Sequence, residues 1–141
     1  MEIRKIVDET VQKYGTRSPY ELADLKDIYI SHHNLGCING YFCYAYGIKQ
    51  IVLNKNLEKS MEEYVLAHEI GHEELHGGIN EPFIEYNTNL SIGKIENEAD
   101  KFAVELLLSD DMLHEYKDYT VVQLSKLFGL PERLIEIRLK K

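Results

Sequence analysis

Thiol chemistry is nearly absent from this chain. Cys37 and Cys43 are the two cysteines in 141 residues, and they are not spaced as a CxxC pair. That argues against a secreted disulfide framework. It points to a reduced, cytoplasmic setting in which both thiols are free and buried on extended segments rather than joined to each other. No run of about 18 apolar residues occurs, so no segment reads as a membrane span. The opening MEIRKIVDETVQKYG is charged throughout and lacks the apolar core of a secretion signal. Basic residues are in the minority, 16 Lys and Arg against 24 Asp and Glu, for a net charge of −8. A nucleic-acid-binding face needs a basic stripe, so no direct nucleic-acid contact is expected. A basic protein partner is compatible with the charge.

Hydrophobic residues make up 44% of the chain, enough for a packed core, and the length fits a single domain over residues 1–141. Apolar positions at Ile3, Ile6, Val7, Val11 and Tyr14 have helical spacing, and Gly15 is a natural stop. SPYELADL opens a second helix, with Ser18 as cap, Pro19 in the first turn and Glu21 closing a capping box. IYISHH alternates as a strand, and INGYFCYAYGIKQIVLN reads as a hairpin turning near Gly47 to Lys49. Ser60 and Glu63 form a second capping box, opening a helix over about 61–76 that Gly77 and Gly78 end. Residues 78–94 carry no clear period and read as a long loop, the kind of segment that is often functional. A helix over about 94–108 and a helix pair over about 120–139 follow. The expected architecture is α+β, with helices around a small, mostly antiparallel sheet.

The stretch VLAHEIGHEELH, residues 65–76, carries the chemistry. Positions four apart share one face of a helix, so His68 and His72 can reach one metal ion. Glu69 lies at the edge of that face, placed to contact a water rather than the metal. This is the HExxH arrangement of two ligands and a general base. Zinc lowers the pKa of a bound water from 15.7 to about 7, and a carboxylate can then pass its proton to a leaving amine. Without a metal, the same pattern would be surface histidines on an amphipathic helix. The helical context and Gly71 favour the metal: glycine costs about 1 kcal/mol against alanine in mid-helix, which suggests close approach by another element.

A catalytic zinc site usually has a third protein ligand. His32, His33, His76, His114 and the acids of IENEAD are the candidates. His76 lies two turns past His68, about 12 Å along the axis, so it suits the cleft wall or a supporting contact better than the same ion. On the IENEAD helix, Ile95, Ala99, Phe102, Ala103 and Leu106 define the buried face. Glu96 borders that face. Glu98, about 200° away, falls on the exposed side. Asp100, four residues past Glu96, is placed to hydrogen-bond a ligand histidine. Ala99 and Ala103 are small enough to let this helix approach Gly71.

HEIGHEELH followed by IENEADKFAVELLL resembles the ImmA/IrrE family of metallopeptidases. The extended IVLN before the motif and the closing LSKLFGLPERLIEIRLK fit as well, so the resemblance runs from about residue 20 to the end. It implies a zincin-like peptidase fold of the gluzincin kind. His68, His72 and Glu96 would hold one Zn2+ per chain, with Glu69 as base and Asp100 in a supporting contact. It also implies a substrate class: a helix–turn–helix repressor of a phage or mobile element, cleaved to relieve repression. Ser109 stands where the family often has proline, which bears on a helix end and not on the chemistry.

Rival functions are a non-proteolytic anti-repressor that binds its partner while keeping a metal site, and a zinc hydrolase acting on other bonds. Tyr86, in the long loop, is a candidate for stabilising the oxyanion. His32 and His33 are expected at the surface. QIVLN is a candidate exposed edge for an extended substrate. The closing helix pair looks like a helix–turn–helix, but its apolar content favours packing on the core or contacting the repressor over binding DNA.

Overall fold

The computed structural model describes residues 2–77 and 92–140. Helix α1 (Ile3–Tyr14) buries Ile3 and Val7 and ends at Gly15, whose φ of 73° supplies the left-handed cap. In α2 (Pro19–Leu25) the Ser18 hydroxyl accepts from the Glu21 amide at 3.3 Å. Three strands follow: β1 (Ile28–His33), β2 (Gly40–Ala45) and β3 (Ile48–Asn54). The β2–β3 turn is the two residues Tyr46 and Gly47, both with positive φ, one position earlier than the sequence suggested. Such paired left-handed residues match the twist of a tight hairpin.

The sheet differs from the mostly antiparallel expectation. Its order is β1-β3-β2, with β2 antiparallel to β3 but β1 parallel to it, so it is mixed. The chain leaves β1, crosses the end of β3 in a six-residue loop and returns as β2. Asn54, the last residue of β3, holds that loop. Its amide group donates to the carbonyls of Gly36 at 3.0 Å and Ile38 at 2.9 Å, and its backbone N–H donates to Asn39. QIVLN is therefore the central strand and not an exposed edge. A substrate strand cannot add to it.

One face of the sheet buries Ile28, Phe42, Ile51 and Leu53, with α3 (Lys59–His76) packed on β2 and β3 and α2 on β1. Gly40 makes that contact possible: a Cβ there would sit 2.9 Å from a methyl of Val65. The Ser60–Glu63 capping box is not formed. The α3 N-cap is Glu58, without a side-chain bond, and the Ser60 hydroxyl instead donates to the carbonyl of Gly129 at 3.0 Å. A tertiary partner has won over the local one.

Helix α4 (Ile92–Leu107) lies against α3. Arg17 donates to the Glu105 and Leu106 carbonyls at 2.9 and 3.1 Å, placing a cation at the negative end of α4. Short α5 (Asp110–Glu115), which the sequence reading did not anticipate, is capped by Ser109. In α6 (Val121–Phe128) Thr120 and Gln123 complete a capping box, and α7 (Glu132–Leu139) follows the left-handed Gly129. Leu124, Leu130, Leu134 and Ile135 are buried, so this C-terminal pair packs on the core.

The α3–α4 contact closes at Gly71. A Cβ there would lie 3.1 Å from Cβ and Cδ1 of Phe102, which is fully buried. The close neighbour is thus Phe102 and not Ala99 or Ala103. Gly71→Ala sets a helix-propensity gain of about 1 kcal/mol against an overpacking cost of about 1–3 kcal/mol. Because Phe102 has no room to give, we expect a net stability loss of about 1 kcal/mol, read by urea denaturation of the metal-free protein. An unchanged or raised midpoint would show that Phe102 yields.

Candidate metal centre

Tyr64, His68, His72 and His76 follow one another at four-residue intervals along α3, so their rings form one row. Neighbouring rings in this row are 5.8, 4.7 and 5.4 Å apart between centroids. The row faces the first turns of α4. His68 and His72 are 8% and 7% exposed, and a polar row so deeply buried must be hydrogen-bonded.

Three donor groups converge. His68 Nε2 and His72 Nε2 lie 3.1 Å apart, and the Glu96 carboxylate reaches both, with Oε2 3.0 Å from His68 and Oε1 2.8 Å from His72. Ligands 2.0–2.1 Å from a tetrahedral zinc are about 3.3 Å from one another. The three donors already stand within about half an ångström of that spacing. The donor set, two imidazoles and a carboxylate, is one zinc accepts. The residues therefore fit the metal. Glu69 is buried, and a carboxylate oxygen of it lies within 4.8 Å of both histidines' donor atoms.

Behind His68 stands Asp100, 5% exposed. Its Oδ1 accepts from His68 Nδ1 at 2.8 Å and from the Tyr64 hydroxyl, and its Oδ2 accepts from Arg133 of α7 at 2.9 Å. Burial alone would raise the Asp100 pKa, but the hydrogen bonds from His68, Tyr64 and Arg133 hold it low. Glu96 is held well below the usual carboxylate range by its hydrogen bonds to His68 and His72. Behind His72 stands His76. The two Nδ1 atoms are 3.2 Å apart, and His76 Nε2 is 3.2 Å from Glu98 Oε1. Burial pushes the His76 pKa down.

Several expectations need correcting here. Glu98 is not on the exposed side. Its side chain is 15% exposed and meets His76, and the residues that share its helical face, Phe102 and Glu105, four and seven positions on, are buried as well. Cys37 is exposed and Cys43 half-buried, and both are free, so the burial expected of them fails for Cys37, which sits in the loop between β1 and β2. His32 lies 3.4 Å from Glu62, and His33 and His114 are exposed; none joins the cluster. Tyr86 falls outside the described residues. Sequence reasoning passed over Tyr64 and Arg133. Tyr64 carried a signal, standing one turn before His68 on the same face, whereas nothing local ties Arg133 to Asp100.

Residues 23–140 match the family model described as the IrrE N-terminal-like peptidase domain. The chain belongs to that family. It is 37% identical over 139 residues to an immunity region protein of Bacillus phage phi105, covering 96% of this chain and 88% of that one. It is 29% identical over 143 residues to Metallopeptidase ImmA of Bacillus subtilis, covering 99% and 85%. As an IrrE N-terminal-like chain it is a member of a metallopeptidase family, and a metal ion is implied. Among the described residues no helix is long and apolar enough to cross a membrane.

Without metal the cluster holds a proton. Burial lowers the His68 pKa, but hydrogen bonds to Asp100 and Glu96 outweigh it and raise it from 6.5 to about 10. A folded-state pKa above the unfolded value stabilises the fold fully below about 6.5, and the effect is lost as pH rises through about 10. We expect the metal-free protein to lose stability over that window. A metal must displace the same proton, so its affinity should strengthen across the window with close to one proton released. Thermal melts and calorimetric titrations in buffers of different ionisation heat test both. Metal binding independent of pH between 7 and 9 would contradict the protonated cluster.

Proposed function

We propose that residues 1–141 form one zinc-dependent endopeptidase domain, with His68, His72 and Glu96 holding one Zn2+ per chain and Glu69 as general base. The convergence of the three donor groups, with the Glu69 carboxylate beside them, carries this reading. Zinc, when bound, supplies the Lewis acidity that makes a water ionisable near neutral pH and polarises the scissile carbonyl. Glu69 takes the water's proton as oxygen attacks the peptide carbon, then delivers it to the departing amine. Asp100, braced by Tyr64 and Arg133, keeps Nδ1 of His68 protonated and Nε2 free to bind metal.

The substrate we infer is a regulatory protein, a helix–turn–helix repressor of a phage or mobile element, whose cleavage relieves repression. Two relatives support this: one is named for a phage immunity region and the other is named a metallopeptidase. An acidic chain of net charge −8 also suits a basic, DNA-binding partner. A reduced cytoplasmic setting follows from that substrate and agrees with the free Cys37 and Cys43.

Glu69→Gln separates cleavage from sequestration. The variant keeps size and polarity, so it should keep wild-type zinc content while losing about a hundredfold or more in rate. The measurement is co-expression with any helix–turn–helix repressor encoded beside this chain, following specific repressor fragments on a gel and zinc by atomic absorption. Full relief of repression by Glu69→Gln, with the repressor intact, would replace proteolysis by binding.

A further inference from the structure

Two ligand histidines each need a support on the Nδ1 side, away from the metal, and among the described residues of α4 Asp100 gives one to His68. At the Nδ1 of His72 stands the Nδ1 of His76, one helical turn further along α3. Two imidazole nitrogens 3.2 Å apart form a hydrogen bond only if one carries the proton and the other offers its lone pair.

The direction of that bond follows from its two ends. If His72 gives Nε2 to a metal, as the preceding reading requires, Nε2 bears no proton and the neutral ring carries it on Nδ1. His72 is then the donor and His76 Nδ1 the acceptor. A neutral His76 accepting at Nδ1 must be protonated at Nε2. Nε2 is 3.2 Å from Glu98 Oε1, and a carboxylate there can only accept. Every link agrees: Glu98 fixes the His76 tautomer, and His76 fixes that of His72. The side chains of His76 and Glu98 are 7% and 15% exposed, so water competes little for either bond.

We propose that His76 is the positioning residue for His72, accepting its Nδ1–H, and that Glu98 holds His76 in the one tautomer able to do so. The proposal rests on the metal reading and gives HEIGHEELH a third working histidine that touches no metal. It also explains why Glu98 turns toward α3.

Two measurements test it. In zinc-loaded, 15N-labelled wild-type protein, an N–H···N bond produces 15N–15N coupling between His72 Nδ1 and His76 Nδ1. Zinc affinity is then measured by chelator competition in folded variants. His76→Leu removes the acceptor and should weaken zinc about tenfold to a hundredfold, the range for loss of a ligand's supporting partner. In His76→Asn the side-chain oxygen takes the place of Nδ1, so affinity should return to within about threefold of wild type. Coupling together with rescue by asparagine supports the proposal. Wild-type protein that binds zinc but shows no coupling overturns it, as does a His76→Leu that binds as tightly as wild type or a His76→Asn as weak as His76→Leu. A His76 nitrogen shifted as a metal ligand also overturns it. A wild type that takes up no zinc fails the metal reading itself, which separates the two failures. Should His76→Leu not fold, the coupling in wild type still decides.

Discussion

A buried row of polar rings on one helix is the constraint around which the rest of this molecule is arranged. Tyr64, His68, His72 and His76 repeat every fourth residue of α3, so all four turn the same way, into the protein. Unpaired polar groups in such a place cost about 1–3 kcal/mol each. Helix α4 answers with Glu96, Glu98 and Asp100 within its first turns, and α7 adds Arg133. The apolar contact beneath, Gly71 on Phe102, sets the distance at which this matching works. Packing and chemistry are thus one problem: the spacing that closes the core also brings the carboxylates to the rings.

The charge arrangement follows. The row gathers three carboxylates from α4 and, without metal, one protonated histidine. A site so rich in acceptors has an affinity for positive charge built into its framework. Further along α3 the same economy recurs away from the site. Buried Lys26 bridges Glu73 and Glu74, and Lys49 joins Glu73, tying α2 and β3 to the second half of the helix. These pairs fix where α3 lies on the sheet, and so where its polar row points.

What the sequence disclosed and what it concealed divides by the range of the interaction involved. The spacing of His68 and His72 is arithmetic within one helix, and the stripe of Ile95, Ala99, Phe102 and Ala103 oriented Glu96 in the same way. Glu98 escaped because the buried face of α4 is wider than the apolar stripe: Phe102 and Glu105, four and seven residues past it, are both buried, the second a charged residue that no apolar pattern marks. Ser60 had a complete local capping pattern, yet Gly129, far along the chain, offered a better use for its hydroxyl. The β1-β3-β2 order was hidden because alternation marks a strand and not its neighbours. The hairpin turn was misplaced by one residue because Tyr46, an aromatic residue, occupies a conformation usually given to Asn, Asp or Gly.

The clasp between Ser60 and Gly129 has a temporal side. A Cβ at Gly129, already at φ 67°, would fall 2.4 Å from the Ser60 hydroxyl, so the turn between α6 and α7 is seated tightly on the start of α3. It joins residues 69 positions apart, and Arg133 reaches back 33 positions to Asp100. Closing such long loops comes late in folding, after local helices and the hairpin have formed. During synthesis the histidine-bearing segment emerges before the elements that brace it. An unfinished chain therefore carries the HEIGH motif without Arg133 at Asp100 or the Gly129 turn at Ser60.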